Sequence, residues 1–125
     1  MQEGRKPARG PHPAPAAAFV PGTVVLVTLN TPREKFWGAV LDVNPAGVSL
    51  RGIDLNSFDD FAGMARAGDP VSASAVFFPM HRVERMELDV RNGDIPSLRE
   101  RFEVKVGRDL AEFFGPEIDP DEGPF

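Results

Sequence analysis

The chain has 125 residues, 42% of them hydrophobic, and carries 14 Lys and Arg against 19 Asp and Glu for a net charge of −5. That length suits one domain with tails, and an acidic balance argues against indiscriminate nucleic-acid binding, which runs on phosphate neutralisation. The absence of Cys excludes disulfides and thiolate metal sites and fits a reducing cytoplasm. No run approaches the roughly 20 apolar residues that span a bilayer, so no membrane association is expected.

Residues 1–21 read as a disordered Pro/Ala-rich tail. Arg5, Lys6 and Arg9 precede an alanine patch that prolines interrupt, which is too short for a signal segment and predicts a cytoplasmic chain. His12-Pro13-Ala14-Pro15 favours extended, polyproline-like backbone. The ordered domain is expected over residues 22–114. It opens with an apolar strand, Thr23 to Leu29, with Val25, Val27 and Leu29 on one face and Val24 and Leu26 on the other. A strand apolar on both faces is central in its sheet. After an Asn30-Thr31-Pro32-Arg33 turn, a second strand runs from Lys35 to Val43, with Phe36 and Val40 facing one way and Trp37, Ala39 and Leu41 the other. Gly38 inside it marks a bend. Asn44-Pro45-Ala46-Gly47 turns the chain into a third strand, Val48 to Leu55, with Gly52 a second kink.

The period then changes from two to that of a helix. Asn56 or Ser57 serves as N-cap, Asp59 and Asp60 lie in the positive first turn, and Phe58, Phe61, Met64 and Ala65 recur at helical spacing. Gly68 with Asp69-Pro70 ends this helix. A fourth strand spans Ser72 to Phe78 and is stopped by Pro79. Met80-His81-Arg82 is a tight connection to a fifth strand, Val83 to Val90. Ser97-Leu98-Arg99-Glu100 is a capping box that opens a short helix to Val106. A last helix begins at Asp109, with Leu110, Phe113 and Phe114 apolar. Residues 115–125 form an acidic disordered tail in which Glu117, Asp119, Asp121 and Glu122 meet no base. The fold class is therefore mainly β: a small, five-stranded, bent antiparallel barrel with a helical insertion between strands 3 and 4 and short C-terminal helices.

These strands resemble those of Sm-like proteins, a branch of the SH3-like small barrels. An alternating strand (Val25, Val27, Leu29) is followed by an aromatic-X-Gly-X-apolar strand, Phe36-Trp37-Gly38-Ala39-Val40. Val48 and Leu50 then stand at third-strand positions, and Phe78, Val83 and Met86 keep the apolar spacing of the second motif. The resemblance covers residues 22–55 and 74–90 and implies a barrel, homo-oligomerisation and RNA as a partner. The RNA pocket of the family does not carry over. Asn44 stands at the Asp position, Val48 at the Asn position, and Pro79-Met80 replaces the Arg-Gly pair. The Arg-rich, Cys-free, tail-flanked chain reads as bacterial.

Three groupings carry chemistry. Asp59, Asp60 and His81 are of metal-ligand type, set against plain helix capping by the carboxylates and a turn position for the His. Arg51, Arg82 and Arg85, with Trp37 nearby, form a candidate RNA or partner surface by stacking and phosphate contact, set against ion pairing with Glu84, Glu87 and Asp89 or with Asp59 and Asp60. Phe77, Phe78 and Met80 form a candidate subunit contact, since the resemblance pairs the fourth strand of one subunit with the fifth of the next. The alternative is core packing against Phe58 and Phe61, with the helical insertion covering the edge. No phosphate loop, hydrolase triad or dinucleotide fingerprint is present. No cofactor, metal or catalysis is expected, and the reading is a non-catalytic binding or scaffolding module that takes a protein partner or a second copy. The other readings are RNA binding through a non-standard site and, least favoured, a metal-dependent enzyme.

Overall fold

A computed structural model describes residues 18–115. Its strands are β1 (Val24–Leu29), β2 (Glu34–Asn44), β3 (Gly47–Asp54), β4 (Ser74–Pro79) and β5 (Val83–Leu88), and its α-helices are α1 (Phe58–Arg66), α2 (Leu98–Val106) and α3 (Ala111–Phe114). The strands form one antiparallel sheet in the order β4-β3-β2-β1-β5. Both tails outside these residues lie beyond the described part of the chain. Phe19, counted with the tail in the sequence, packs on the core.

The order of the strands forces the sheet to curl. β4 and β5 are its opposite edges, and a flat sheet of this width would hold them about 19 Å apart at about 4.8 Å per strand. Only the single 3-10 turn Met80–Arg82 joins them, which advances roughly 2 Å per residue. The curl encloses a first core of Val25, Val27, Leu29, Val40, Val48 and Leu50. Val76 and Phe78 from one edge strand and Val83 and Met86 from the other pack against that same cluster. Curvature concentrates at the cross-strand pair Gly38 and Gly52, where two backbones approach too closely for any side chain. A register shift after Val40 adds a bulge beside Leu41.

A second core lies on the outer face of the sheet. Trp37 and Ala39 meet Phe58, Phe61, Ala62 and Ala65 of α1, Phe102 of α2, and Leu110, Phe113 and Phe114 around α3. Trp37 is fully buried, with Phe114 at 4.7 Å, Phe58 at 5.2 Å and Phe102 at 5.9 Å between ring centroids. The facing predicted for β1 and for Phe36 to Val40 of β2 is thus found, with one face of each strand in each core, while Leu41, at the bulge, belongs to neither. The insertion lies on this face rather than over the edge of β4. Within α1, Met64 is exposed and Ala62 takes the buried position. Ser57 holds the N-cap position of α1, one of the two expected, but makes no side-chain cap bond; the side-chain cap lies one turn earlier, where the Asp54 carboxylate accepts from Asn56 N–H at 2.7 Å and opens a 3-10 turn, Leu55–Ser57, ahead of the helix.

The C-terminal helices are fastened by carboxylates. The capping box forms as predicted: Ser97 Oγ accepts from Glu100 N–H, and the Glu100 side chain accepts from Ser97 N–H. Asp89, just past β5, accepts from Leu98 N–H at 2.8 Å, Arg99 N–H at 2.9 Å and the Trp37 indole N–H at 3.1 Å. Glu103 accepts from Arg99 and from Leu110 N–H, and Asp109 accepts from Arg99 and Ala111 N–H. The Ser97 N–H holds the Glu100 carboxyl below its ordinary pKa, and the Ala111 N–H followed by Arg99 does the same for Asp109.

A folded pKa below the unfolded one means that the unfolded chain takes up protons first as the pH falls. The stability from both carboxylates is therefore whole above the ordinary carboxylate range and is lost as pH falls through it toward the folded pKa values. Urea midpoints are expected to stay level from about pH 8 to about pH 6 and to decline below about pH 5. Glu100→Gln reduces the steepness of that acid limb. An acid limb identical in Glu100→Gln and the parent chain would refute the assignment.

Candidate functional site: an open sheet edge

The edge of β4 is built by alternation. Met80 N–H donates to Ala46 carbonyl at 2.9 Å, which makes Gly47 and Pro79 a non-hydrogen-bonded pair. The N–H groups of Phe78, Val76 and Ser74 therefore face β3, and those of Phe77 and Ala75 face outward. The outward register is closed at one end, where Ala73 N–H donates to Phe113 carbonyl at 3.0 Å, and at the other by Pro79, which has no N–H. Among the described residues, what stays open is the short segment Ala75–Phe77. Phe77 stands beside it, 51% exposed, with its ring over Gly47, and Met80 is 38% exposed. Phe78 turns inward and meets Phe36 edge to face at 5.1 Å. The subunit-contact residues therefore divide: Phe77 and Met80 lie on the surface, while Phe78 fills the inner core. None of the three packs against Phe58 or Phe61, which belong to the outer core.

The opposite edge is built the same way. Asp89 N–H donates to Val24 carbonyl, so Leu88 and Met86 direct their N–H groups away from β1. Among the described residues two short edges thus stay unpaired, one on β4 and one on β5.

The four residues of the predicted RNA or partner surface do not come together. Trp37 is enclosed in the outer core and presents no ring face to a ligand. Arg51 lies on β3, separated from β5 by β2 and β1, so it is not the neighbour of Arg82 and Arg85 that the sequence suggested. Arg85 pairs with Glu87 at 2.6 Å. Arg82 donates to Pro32 carbonyl at 3.2 Å and lies 3.8 Å from Glu34, with its Nε buried and unpartnered among the described residues. Arg51 instead lies on the outer face, in the row Val24, Ala39, Arg51, Ala75, with its Cδ and Nε beside Gly115.

The Asp59, Asp60 and His81 grouping is likewise dispersed. Asp59 pairs with Lys105 at 3.4 Å, His81 is exposed in the 3-10 turn before β5, and no cluster of three His, Asp or Glu suited to a metal forms among the described residues. The positions matching the Sm-like pocket are adjacent: Gly47 pairs with Pro79 and with Asn44, and Val48 with Phe78. Their chemistry is local, however. Asn44 accepts from Ala46 N–H and donates to Asp42, and Val48 is buried. A shallow groove of about 690 Å³ runs along α2 past Val104; of its cations, Arg91 and Lys105 are paired with Glu100 and Asp59, and Arg101 lies over the Phe58 ring.

The open Ala75–Phe77 segment was not visible in the sequence, because it depends on which strands are neighbours. Pro79 was the one local signal of it. Comparison with family models, curated proteins and solved structures gave no match. Among the described residues no helix is long and apolar enough to cross a membrane.

Proposed function

We propose that the protein is a non-catalytic binding or scaffolding module that works through the open edges of its sheet, with a second copy of the chain as its first partner. The reading takes it as a divergent small barrel of Sm-like or SH3-like type, supported by the strand order and by Gly38 at the bend. The observation that carries it is the unpaired Ala75–Phe77 segment of β4 with the half-exposed Phe77 ring beside it. β5 offers a matching unpaired edge at Met86 and Leu88. Joining β4 of one copy to β5 of the next is a heterologous contact, which closes into a ring or runs on as a filament.

Magnitudes set the strength of such a contact. An edge this short makes about four main-chain hydrogen bonds, each worth a net 0.5–1.5 kcal/mol or so. Covering the exposed half of Phe77 adds roughly 1 kcal/mol. Against an association cost of at least about 4 kcal/mol, the balance is weak and concentration-dependent. Light scattering from about 0.1 mM to about 3 mM is expected to show a rising mean mass, with a dissociation constant in the millimolar range. Phe77→Lys is expected to abolish the rise, while Val104→Lys, at a residue 86% exposed on α2, leaves it unchanged. A parent chain that stays monomeric throughout this range, or a Phe77→Lys chain that associates like the parent, would sink the reading.

A further inference from the structure

We propose that the shallow groove along α2 binds a short acidic segment of a partner protein that also carries aliphatic side chains, with Val104 as the apolar contact and Arg101 and Lys105 as the charged ones. The fold gives Val104 no reason to be apolar. Leu98, Phe102 and Val106 turn α2 onto the outer core, and at 3.6 residues per turn Val104 lies about 160° around the axis from Phe102. It is 86% exposed, and a β-branched residue there lowers helix propensity slightly while burying nothing. Pro96 lines the same groove, and Ile95 next to it is 67% exposed. Adjoining apolar surface rimmed by charge is the pattern of an interaction site.

The charges around the groove select the occupant. Helical spacing puts Arg101 and Lys105 on one flank of Val104 and Glu100 and Glu103 on the other. Both carboxylates are committed to their own chain. Glu100 accepts from Ser97 N–H at 2.8 Å and meets Arg91 at 3.3 Å, and Glu103 accepts from Arg99 at 3.1 Å and from Leu110 N–H at 2.8 Å. The cations are less engaged. Arg101 meets no carboxylate among the described residues, and its guanidinium lies 5.2 Å over the Phe58 ring. Lys105 pairs with the exposed Asp59 at 3.4 Å, and a surface pair of this kind holds weakly. The charge left available is therefore positive and complements carboxylates. Arg101 and Lys105 stand one turn apart, so two carboxylates roughly 6 Å apart meet both. Glu100 and Glu103 repel a phosphate backbone along the same groove, which favours a peptide over nucleic acid. No residue of β4 or β5 lines the groove, so the proposal stands apart from self-association through the sheet edges.

The test is NMR on the full chain at about 50 μM, below the association range proposed above. The probe is a synthetic peptide of about twelve residues built from Glu and Leu, with a Glu and Ser peptide and a Lys and Leu peptide as controls. The Glu and Leu peptide is expected to shift the amide signals of Ile95, Arg101, Val104 and Lys105 saturably, and neither control is expected to do so. Val104→Ser is expected to weaken binding about tenfold and Arg101→Gln about threefold. Arg66→Gln, at an exposed cation of α1 outside the groove, is expected to leave it unchanged. Val104 is open to solvent, so its variant tests the idea even if Arg101→Gln disturbs the packing on Phe58. Absence of saturable shifts, equal binding of the Lys and Leu peptide, or a Val104→Ser chain that binds like the parent overturns the proposal. Groove signals that move with chain concentration alone also overturn it and assign the groove to a second copy.

Discussion

Asp89→Ala is expected to lower the stability of the fold by about 3 kcal/mol, more than any other single polar truncation in the domain. The side chain joins three elements. Its Oδ1 accepts from Leu98 N–H, and its Oδ2 accepts from Arg99 N–H and from the Trp37 indole. Alanine leaves the first two amides of α2 without this acceptor and strands the indole N–H of a fully buried ring. Each orphaned donor costs roughly 1–3 kcal/mol, and the lost carboxylate also faced the positive end of a helix. The three contacts share one side chain, so their losses do not add fully. Asp89→Asn keeps one acceptor oxygen and is expected to cost about half as much. Urea unfolding followed by Trp37 emission reads both effects, since it is the only Trp in the chain. An Asp89→Ala chain within about 0.5 kcal/mol of the parent would show that the clamp is dispensable.

That clamp marks the boundary of what the sequence discloses. Elements whose cause is local were legible. The alternation of Val24 to Leu29 and the two faces of Phe36 to Val40 placed both strands. The Ser97–Glu100 spacing placed the start of α2 and its cap. Elements whose cause is a distant partner were not legible. Asp89 read as one more charge at the end of a strand because its three donors lie nine or more positions away in the chain. The same blindness misplaced the surface. Trp37 suggested stacking, but its face of β2 is sealed by α1, α2 and α3. Arg51 and Arg85 looked adjacent because both lie on short strands, while the order β4-β3-β2-β1-β5 sets two strands between theirs. Phe77 and Phe78 differ by one position, and strand alternation alone sends one outward and the other into the inner core. The sequence named the right run for the edge without showing which of its members the edge would expose.

The largest backbone effect is expected at Gly52, and it bears on that edge. A Cβ at Gly52 would stand 2.1 Å from Trp37 carbonyl oxygen and 2.5 Å from Gly38 Cα; one at Gly38 would stand 2.7 Å from Arg51 carbonyl oxygen. Every one of these neighbours is main chain, held by the ladder between β2 and β3, so no rotamer change relieves the clash. Gly52→Ala is expected to cost about 3 kcal/mol and Gly38→Ala somewhat less, about 2 kcal/mol. The double variant is expected to cost less than the sum, because either substitution alone opens the same crossing. Urea unfolding again supplies the measurement, and a Gly52→Ala chain as stable as the parent would mean that the strands do not approach as described. The consequence reaches beyond stability. The bend at this crossing brings the two edge strands close enough for a 3-10 turn to join them and lets Phe78 and Met86 share one core. Relaxing it moves β4 relative to β5. In Gly38→Ala, self-association measured by light scattering is therefore expected to fall while Trp37 emission remains that of a buried indole.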